Sequence, residues 1–286
     1  MRLTRGSAVG IASMLDYLDP TRGSCTVVVN GDHESPPLLG QMHFTLGERS
    51  AHLSFLIPGA RASTGSLLAL LDGMAVQAAE MGAFSLLAEL DEDNPHFQTM
   101  RRAGYQVYAR QQIWQISPAE EVDPVIATCW HSKKPEDGMS IRNLYQSLVP
   151  PLVQGAESFS NHYLQGMVFK QNNELLAYVE DVTGPRGIYL NPLIHPSVEN
   201  ITELLKSLPA QYAPNLGRPV YIAVRSYQGW LANHLERLGA QPLPQQALLV
   251  KYFVLGQRTA ALNAHRSVIE AKAKPAAPII RRISKN

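Results

Sequence analysis

The chain has 286 residues, 45% of them hydrophobic and 17% charged, enough apolar side chain for one large core or two smaller ones and too little charge for a disordered polymer. The net charge of +1 is unevenly spread: residues 1–120 carry eight Arg and no Lys against twelve Asp and Glu, a net −4, whereas the stretch from Thr259 onward carries six Lys and Arg against Glu270 alone, a net +5. A near-neutral body excludes a folded surface built around duplex nucleic acid, which needs a basic excess, and no apolar run approaches the ~18 residues of a membrane-spanning helix.

In chain order, residues 25–30 are β-branched and read as a strand. Residues 38–46 and 51–57 flank Gly47-Glu48-Arg49-Ser50 and read as an antiparallel hairpin. Leu67, Leu70, Leu71, Met74, Ala78 and Met81 recur at helical steps, with Gly82 as the stop. Residues 84–90 form a short, mostly apolar strand; Asn94 and Pro95 are placed as N-cap and first-turn proline of a second helix that Gly104 ends. Residues 105–116 supply one or two closing strands.

The order then returns. Residues 166–170, 175–181 and 187–193 read as strands. Val198, Ile201, Leu204, Leu205 and Leu208 make a helix face capped by Ser197 and stopped by Pro209. Residues 219–224 are a strand; Trp230, Leu231, His234, Leu235 and Leu238 are the next helix face, stopped by Gly239, and residues 246–255 close the unit. A step of 135 residues lays Arg102 on Arg237, Gly104 on Gly239, Gln106 on Gln241 and Gln111 on Gln246, which favours an internal duplication. The second unit has a preface, a strand near 126–130 and a helix from Ile141 to about Glu157 interrupted by Pro150-Pro151; the first has only residues 8–18 there and looks truncated. The expected organisation is α/β with mixed α+β sheets: a truncated first domain over 1–118, a second over 119–258, and a basic, mobile tail over 259–286.

On these residues the chain resembles the GNAT superfamily of N-acyltransferases. The resemblance is carried by the strand 51–57 followed by Pro58-Gly59-Ala60-Arg61-Ala62-Ser63-Thr64-Gly65-Ser66 and a helix, then by the strand 84–90, Asn94-Pro95 and Arg101-Arg102-Ala103-Gly104-Tyr105. It covers about 95 residues of the first unit and about 115 of the second. It implies two tandem GNAT-like domains that use acetyl-CoA, or another acyl-CoA, to acylate a small-molecule or peptide amine. The strand before the loop, at Phe55, Leu56 and Ile57, would offer backbone groups to the pantetheine arm. Arg61, Thr64, Gly65 and Ser66, with Asn94, would complete the cofactor site, since free N–H groups and the positive end of a helix favour a pyrophosphate. The loop departs from the family pattern in the position of its first glycine. The second unit departs further: His195-Pro196-Ser197-Val198-Glu199-Asn200 has no glycine and puts Glu199 where phosphate would sit.

Acyl transfer needs a free amine, hence a base, and often an acid for the leaving thiolate. The family's helix tyrosine is replaced here by Met100 or Arg101 in the first unit and by His234 or Leu235 in the second. Glu89, projecting from the opposite face of its strand to Leu86 and Ala88, is the candidate base, weighed against a partly solvated strand-end carboxylate. Tyr105, or Tyr108, is the candidate acid, weighed against core packing. Nine histidines without HxH or HExxH spacing, and two cysteines, Cys25 and Cys129, without a CxxC, give no metal motif. Arg2 and Arg5 lead to no clear cleavage site, so a cytoplasmic location is expected. Two readings stay open: an N-acyltransferase using the first unit, and a non-catalytic GNAT-fold binding or regulatory protein. Nucleic acid is expected only, if at all, at the basic tail.

Overall fold

The computed structural model describes residues 3, 22–30, 37–45, 47–57, 63–117, 129–157, 159, 166–212, 218–253 and 280–283. The first unit runs β1 (Arg22–Val29), β2 (Leu38–Thr45), β3 (Ser50–Ile57), α1 (Thr64–Glu80), β4 (Ser85–Asp91), α2 (Phe97–Arg102) and β5 (Gln106–Ile116). The second runs β6 (Trp130–Ser132), α3 (Gly138–Leu148), α4 (Pro151–Ala156), β7 (Gly166–Gln171), β8 (Glu174–Gly184), β9 (Gly187–Ile194), α5 (Ile201–Tyr212), β10 (Val220–Arg225), α6 (Leu231–Arg237), β11 (Gln241–Pro242) and β12 (Gln246–Tyr252). A last strand, β13 (Ile280–Ile283), follows. Gly104 and Gly239 stand just past α2 and α6 with φ of +88° and +71°, the left-handed turn that ends a helix without a Cβ penalty.

All strands lie in one mixed sheet of 13. Along it the order is β13-β1-β2-β3-β4-β12-β5-β10-β9-β8-β7-β6, with β11 beside β5. Each unit's closing strand is therefore exchanged. β12 pairs antiparallel with β4 of the first unit, β5 pairs antiparallel with β10 of the second, and the two exchanged strands pair with each other. An unpaired strand edge at the seam would be costly and adhesive, and the exchange removes it from both units at once.

The exchanged strands also set the two faces. Along β12, Ala247 and Leu249 join the core under α1 and α2, while Leu248 and Val250 join the core under α3 and α4. Along β9, Ile188, Leu190 and Ile194 face α5 and α6, and Leu193 faces α3 and α4. Four helices thus cover one face, and α3 and α4 cover the other across the seam. The hydroxyl of Ser50 on β3 donates to the carbonyl of Ala156 at the end of α4 (2.9 Å), so the second unit's early helices are tied to the first unit's sheet.

Four expectations change. Asn94 does not cap α2: its Oδ1 accepts from the His96 amide (2.9 Å) and its carbonyl from the Phe97 amide (2.9 Å), a side-chain turn that delays the helix to Phe97. Ser197 is spent on His195 (2.7 Å) in the turn before α5, which starts at Ile201. Pro209 does not stop that helix. It lies in the last turn, where its missing N–H deletes one bond, and it is buried beside Leu205 and Leu208. Finally, the tail expected over 259–286 contains a strand, because Ile280–Ile283 pair parallel with β1, whose outer edge is otherwise unpaired among the described residues. Residues 118–128 lie outside the described ones, and the strand expected near 126–130 is seen as Trp130–Ser132. Among the described residues no helix is long and apolar enough to cross a membrane.

Candidate functional site

β3 and β4 start as parallel neighbours and then part. They pair at Ser50↔Ser85, Ala51↔Leu86 and His52↔Leu87, and no further. Beyond His52, β3 follows β2 instead, across an irregularity in their register. The parting leaves a cleft whose β3 wall, including Phe55 and Leu56, is half-buried, and Ile57 at its mouth is 43% exposed.

β3 ends at Ile57, and the next described element in the chain is α1. Ser63 is the N-cap: its Oγ accepts from the Ser66 amide (3.2 Å) and donates to Ser66 Oγ (2.9 Å). This cap fixes the first turn and leaves Thr64 and Gly65 exposed at the positive end of a 17-residue helix. Ser66 is buried and serves the cap. Asn94 is held in its own turn beyond β4, and Arg61 lies outside the described residues.

The second unit repeats the parting and fills it. β9 and β10 pair at Ile188↔Val220, Leu190↔Ile222 and the residues between, then diverge. Gln228, in the short turn Ser226–Gln228 after β10, reaches back into the gap. Its Oε1 accepts from the Ile194 amide (2.9 Å) and its Nε2 donates to the Pro192 carbonyl (2.8 Å). Sequence reading missed Gln228 because a polar residue between a strand and a helix carries no signal beyond that of a turn.

On the face covered by α3 and α4, a polar cluster spans the seam. Arg225, 7% exposed at the end of β10, lies 3.1 Å from Glu157 Oε1. The contact is an ion pair too far off-axis to be a hydrogen bond, so Nε and Nη1 of Arg225 lack an acceptor among the described residues. The Tyr108 hydroxyl donates to the same Glu157 oxygen (2.5 Å), and the Tyr145 hydroxyl to the Glu157 carbonyl (3.2 Å). Burial pushes the Tyr108 phenol well above its ordinary range, helped by the charge of Glu157 and, less, by that of Glu89. Burial lowers the tendency of Arg225 to hold its proton, but Glu157 and the surrounding tyrosines outweigh it and the guanidinium stays charged. Tyr227 at its rim is pushed up to about 12 by burial. Glu180 is raised by burial, partly offset by Asn191 Nδ2 at 3.4 Å.

Glu89 is exposed on β4 and turned to this same face. Tyr105 is not: it is 1% exposed in the core under α1 and α2, across the sheet from Glu89. Its hydroxyl has no hydrogen-bond partner among the described residues, and burial raises its pKa. The structure therefore separates the two catalytic candidates and brings Glu89 together with Tyr108, Glu157 and Arg225, of which only Tyr108 stood out in the sequence.

No family profile and no curated protein matches the chain. Solved structures do. A tandem GNAT protein from the clavulanic acid biosynthesis pathway is 15% identical with a TM-score of 0.54, covering 87% of this chain and 90% of that one. A GCN5-related N-acetyltransferase from Kribbella flavida is 14% identical with a TM-score of 0.50, covering 85% of this chain and 96% of that one. The chain thus has the GNAT fold, in a mixed α/β arrangement built on one large sheet.

Proposed function

We propose that the chain is an acyl-CoA-dependent N-acyltransferase that moves an acetyl group to an amine, with the acyl-CoA held by the first unit. One observation carries this reading: β3 and β4 stop pairing after His52↔Leu87, and the element that follows β3 in the chain, α1, has a capped, exposed start. A pantetheine arm needs unpaired backbone groups and a pyrophosphate needs free N–H groups; both are available here, and Thr64 and Gly65 supply the latter. The acyl-CoA would bring the activated thioester. Glu89, on the face closed by α3 and α4, would take the proton from the acceptor's ammonium, and the walls of the acceptor site would come from both units. Two cysteines without a CxxC spacing, Cys25 and Cys129, suit a reducing compartment such as the cytoplasm.

Calorimetric titration with acetyl-CoA tests the reading, and no heat at millimolar ligand overturns it. Gly65→Asp is the matching variant. An acidic residue in the first turn of α1 favours the helix but repels a pyrophosphate, so the variant should stay folded and lose at least tenfold in affinity.

A second reading, a non-catalytic GNAT-fold binding or regulatory protein, is favoured by α2. Met100 there is buried in the core and Arg101 is exposed, so neither offers a phenol to a leaving thiolate. Binding of acetyl-CoA with no transfer to a panel of amines would establish it.

A further inference from the structure

Gln228 is 2% exposed, and both polar atoms of its carboxamide are used. The groups it engages, the Pro192 carbonyl and the Ile194 amide, flank Leu193 on the edge of β9 that β10 abandons after Ile222. A strand continuing beside β9 would take up such a rung, and so would any ligand amide laid along that edge. One primary amide, with a donor and an acceptor on the same carbon, satisfies both groups and leaves none for an incoming molecule. The first unit differs at the matching place: 135 residues before Gln228 stands Asp93, a carboxylate rather than a carboxamide, and exposed. The charged end differs as well. Glu199 is exposed two residues before α5, where the first unit has Ser63, Thr64 and Gly65.

We propose that Gln228 is a built-in occupant of the second cleft, standing where the amide-bearing arm of an acyl-pantetheine would lie, so that the chain takes up one such ligand, in its first unit. The count of one rests on the reading of the first cleft given above; the occupation of the second by Gln228 does not. Pro192 and Ile194 stay paired without a ligand, and Glu199 sets a second barrier against any phosphate-bearing form.

The test uses the full chain, the phosphate-free probe S-acetyl-pantetheine to bypass Glu199, and the variants Gln228→Ala and Gln228→Asn, the latter retaining an amide one methylene too short to reach both groups. Calorimetry should count one more equivalent of probe in the variants than in the parent, and hydrogen exchange at the Ile194 amide should run at least about tenfold faster. An unchanged count in whichever variant folds, two equivalents already in the parent, or an Ile194 amide that exchanges freely in the parent would each overturn the proposal. A parent that takes none and a variant that takes one would sink the reading of the first cleft and uphold the role of Gln228.

Discussion

The side chain of Gln111 donates from Nε2 to Oε1 of Gln246 at 2.8 Å, and the two residues are 135 positions apart, the step that superposes the two halves of the sequence. A residue that touches its own repeat lies on the axis relating the repeats. β5 and β12 run antiparallel with Gln111 opposite Gln246, so the axis passes between them, and the row extends to Asp91 on one side and Arg225 on the other. Gln246 Nε2 reaches Asp91 Oδ1 at 2.9 Å, whereas Arg225 turns to Glu157. The duplication is symmetric at its centre and has diverged one strand out.

Gln111 is 1% exposed, so truncating either glutamine strands a polar group on the other. Gln111→Ala and Gln246→Ala should each cost about 1–3 kcal/mol. The double variant should cost less than their sum, with a coupling of about 1 kcal/mol. Urea denaturation of the four chains measures it, and strict additivity would show that the bond contributes nothing.

Because the closing strands are exchanged, neither half can complete its own sheet. A fragment ending at residue 117 has β5 but not β12, so the edge of β4 stays open; a fragment starting at residue 129 has β12 but not β5. Each fragment alone should aggregate or lack a cooperative transition, and co-expression should yield a stoichiometric pair. Two fragments that melt independently would contradict the exchange.

The Arg225–Glu157 pair lies within the second unit beside the seam, with the Arg225 side chain 9% and that of Glu157 25% exposed. Removing one member leaves the other uncompensated, so Glu157→Ala should cost about 3–5 kcal/mol, whereas Arg225→Met combined with Glu157→Leu should cost less than either single change. Tyr108→Phe, which removes only one donor from Glu157, should cost about 1–2 kcal/mol. Chemical denaturation ranks the five variants, and a double variant no better than Glu157→Ala would refute the ion-pair account.

Much of this was legible in the residues. The leucine and methionine steps of α1, the positive-φ glycines after α1, α2 and α6, and the strands that flank Gly47 and Asn172-Asn173 are local signals, and local structure followed them. The strand exchange was not, because which edge β12 joins depends on partners some 160 residues away, and its alternating apolar pattern would suit either edge. The parting of β3 from β4 has no composition of its own. Glu89 could be placed on a face by alternation, but Tyr105 could not be separated from it, because an irregularity in the β12–β5 register between Leu248 and Leu249 breaks the simple two-residue alternation along β5. Gln228 and Glu157 act through long-range contacts from turns, where sequence period is silent.

Asp137 ties the preface of the second unit to its sheet. Its carboxylate is 3% exposed, with Oδ1 2.6 Å from Lys170 Nζ on β7 and Oδ2 accepting from the Lys134 amide at 2.8 Å. Burial alone would raise its pKa, but the bonds from Lys170 and Lys134 and their charges outweigh that and hold the carboxyl below its ordinary value of 3.8. The unfolded chain therefore takes up this proton at a higher pH than the folded one. The stabilisation is fully present above the unfolded pKa and drains away as pH falls below 3.8 toward the folded value. Asp137→Asn should cost about 1.5–3 kcal/mol at pH 7, the range for hydrogen bonds to a charged group. That cost should shrink as the pH is lowered through 4 toward 3, since the parent loses there what the variant never had. Denaturant midpoints of both chains at pH 7 and pH 3 decide it: a cost equal at the two pH values would mean that the carboxylate's charge contributes nothing and that only its shape is used.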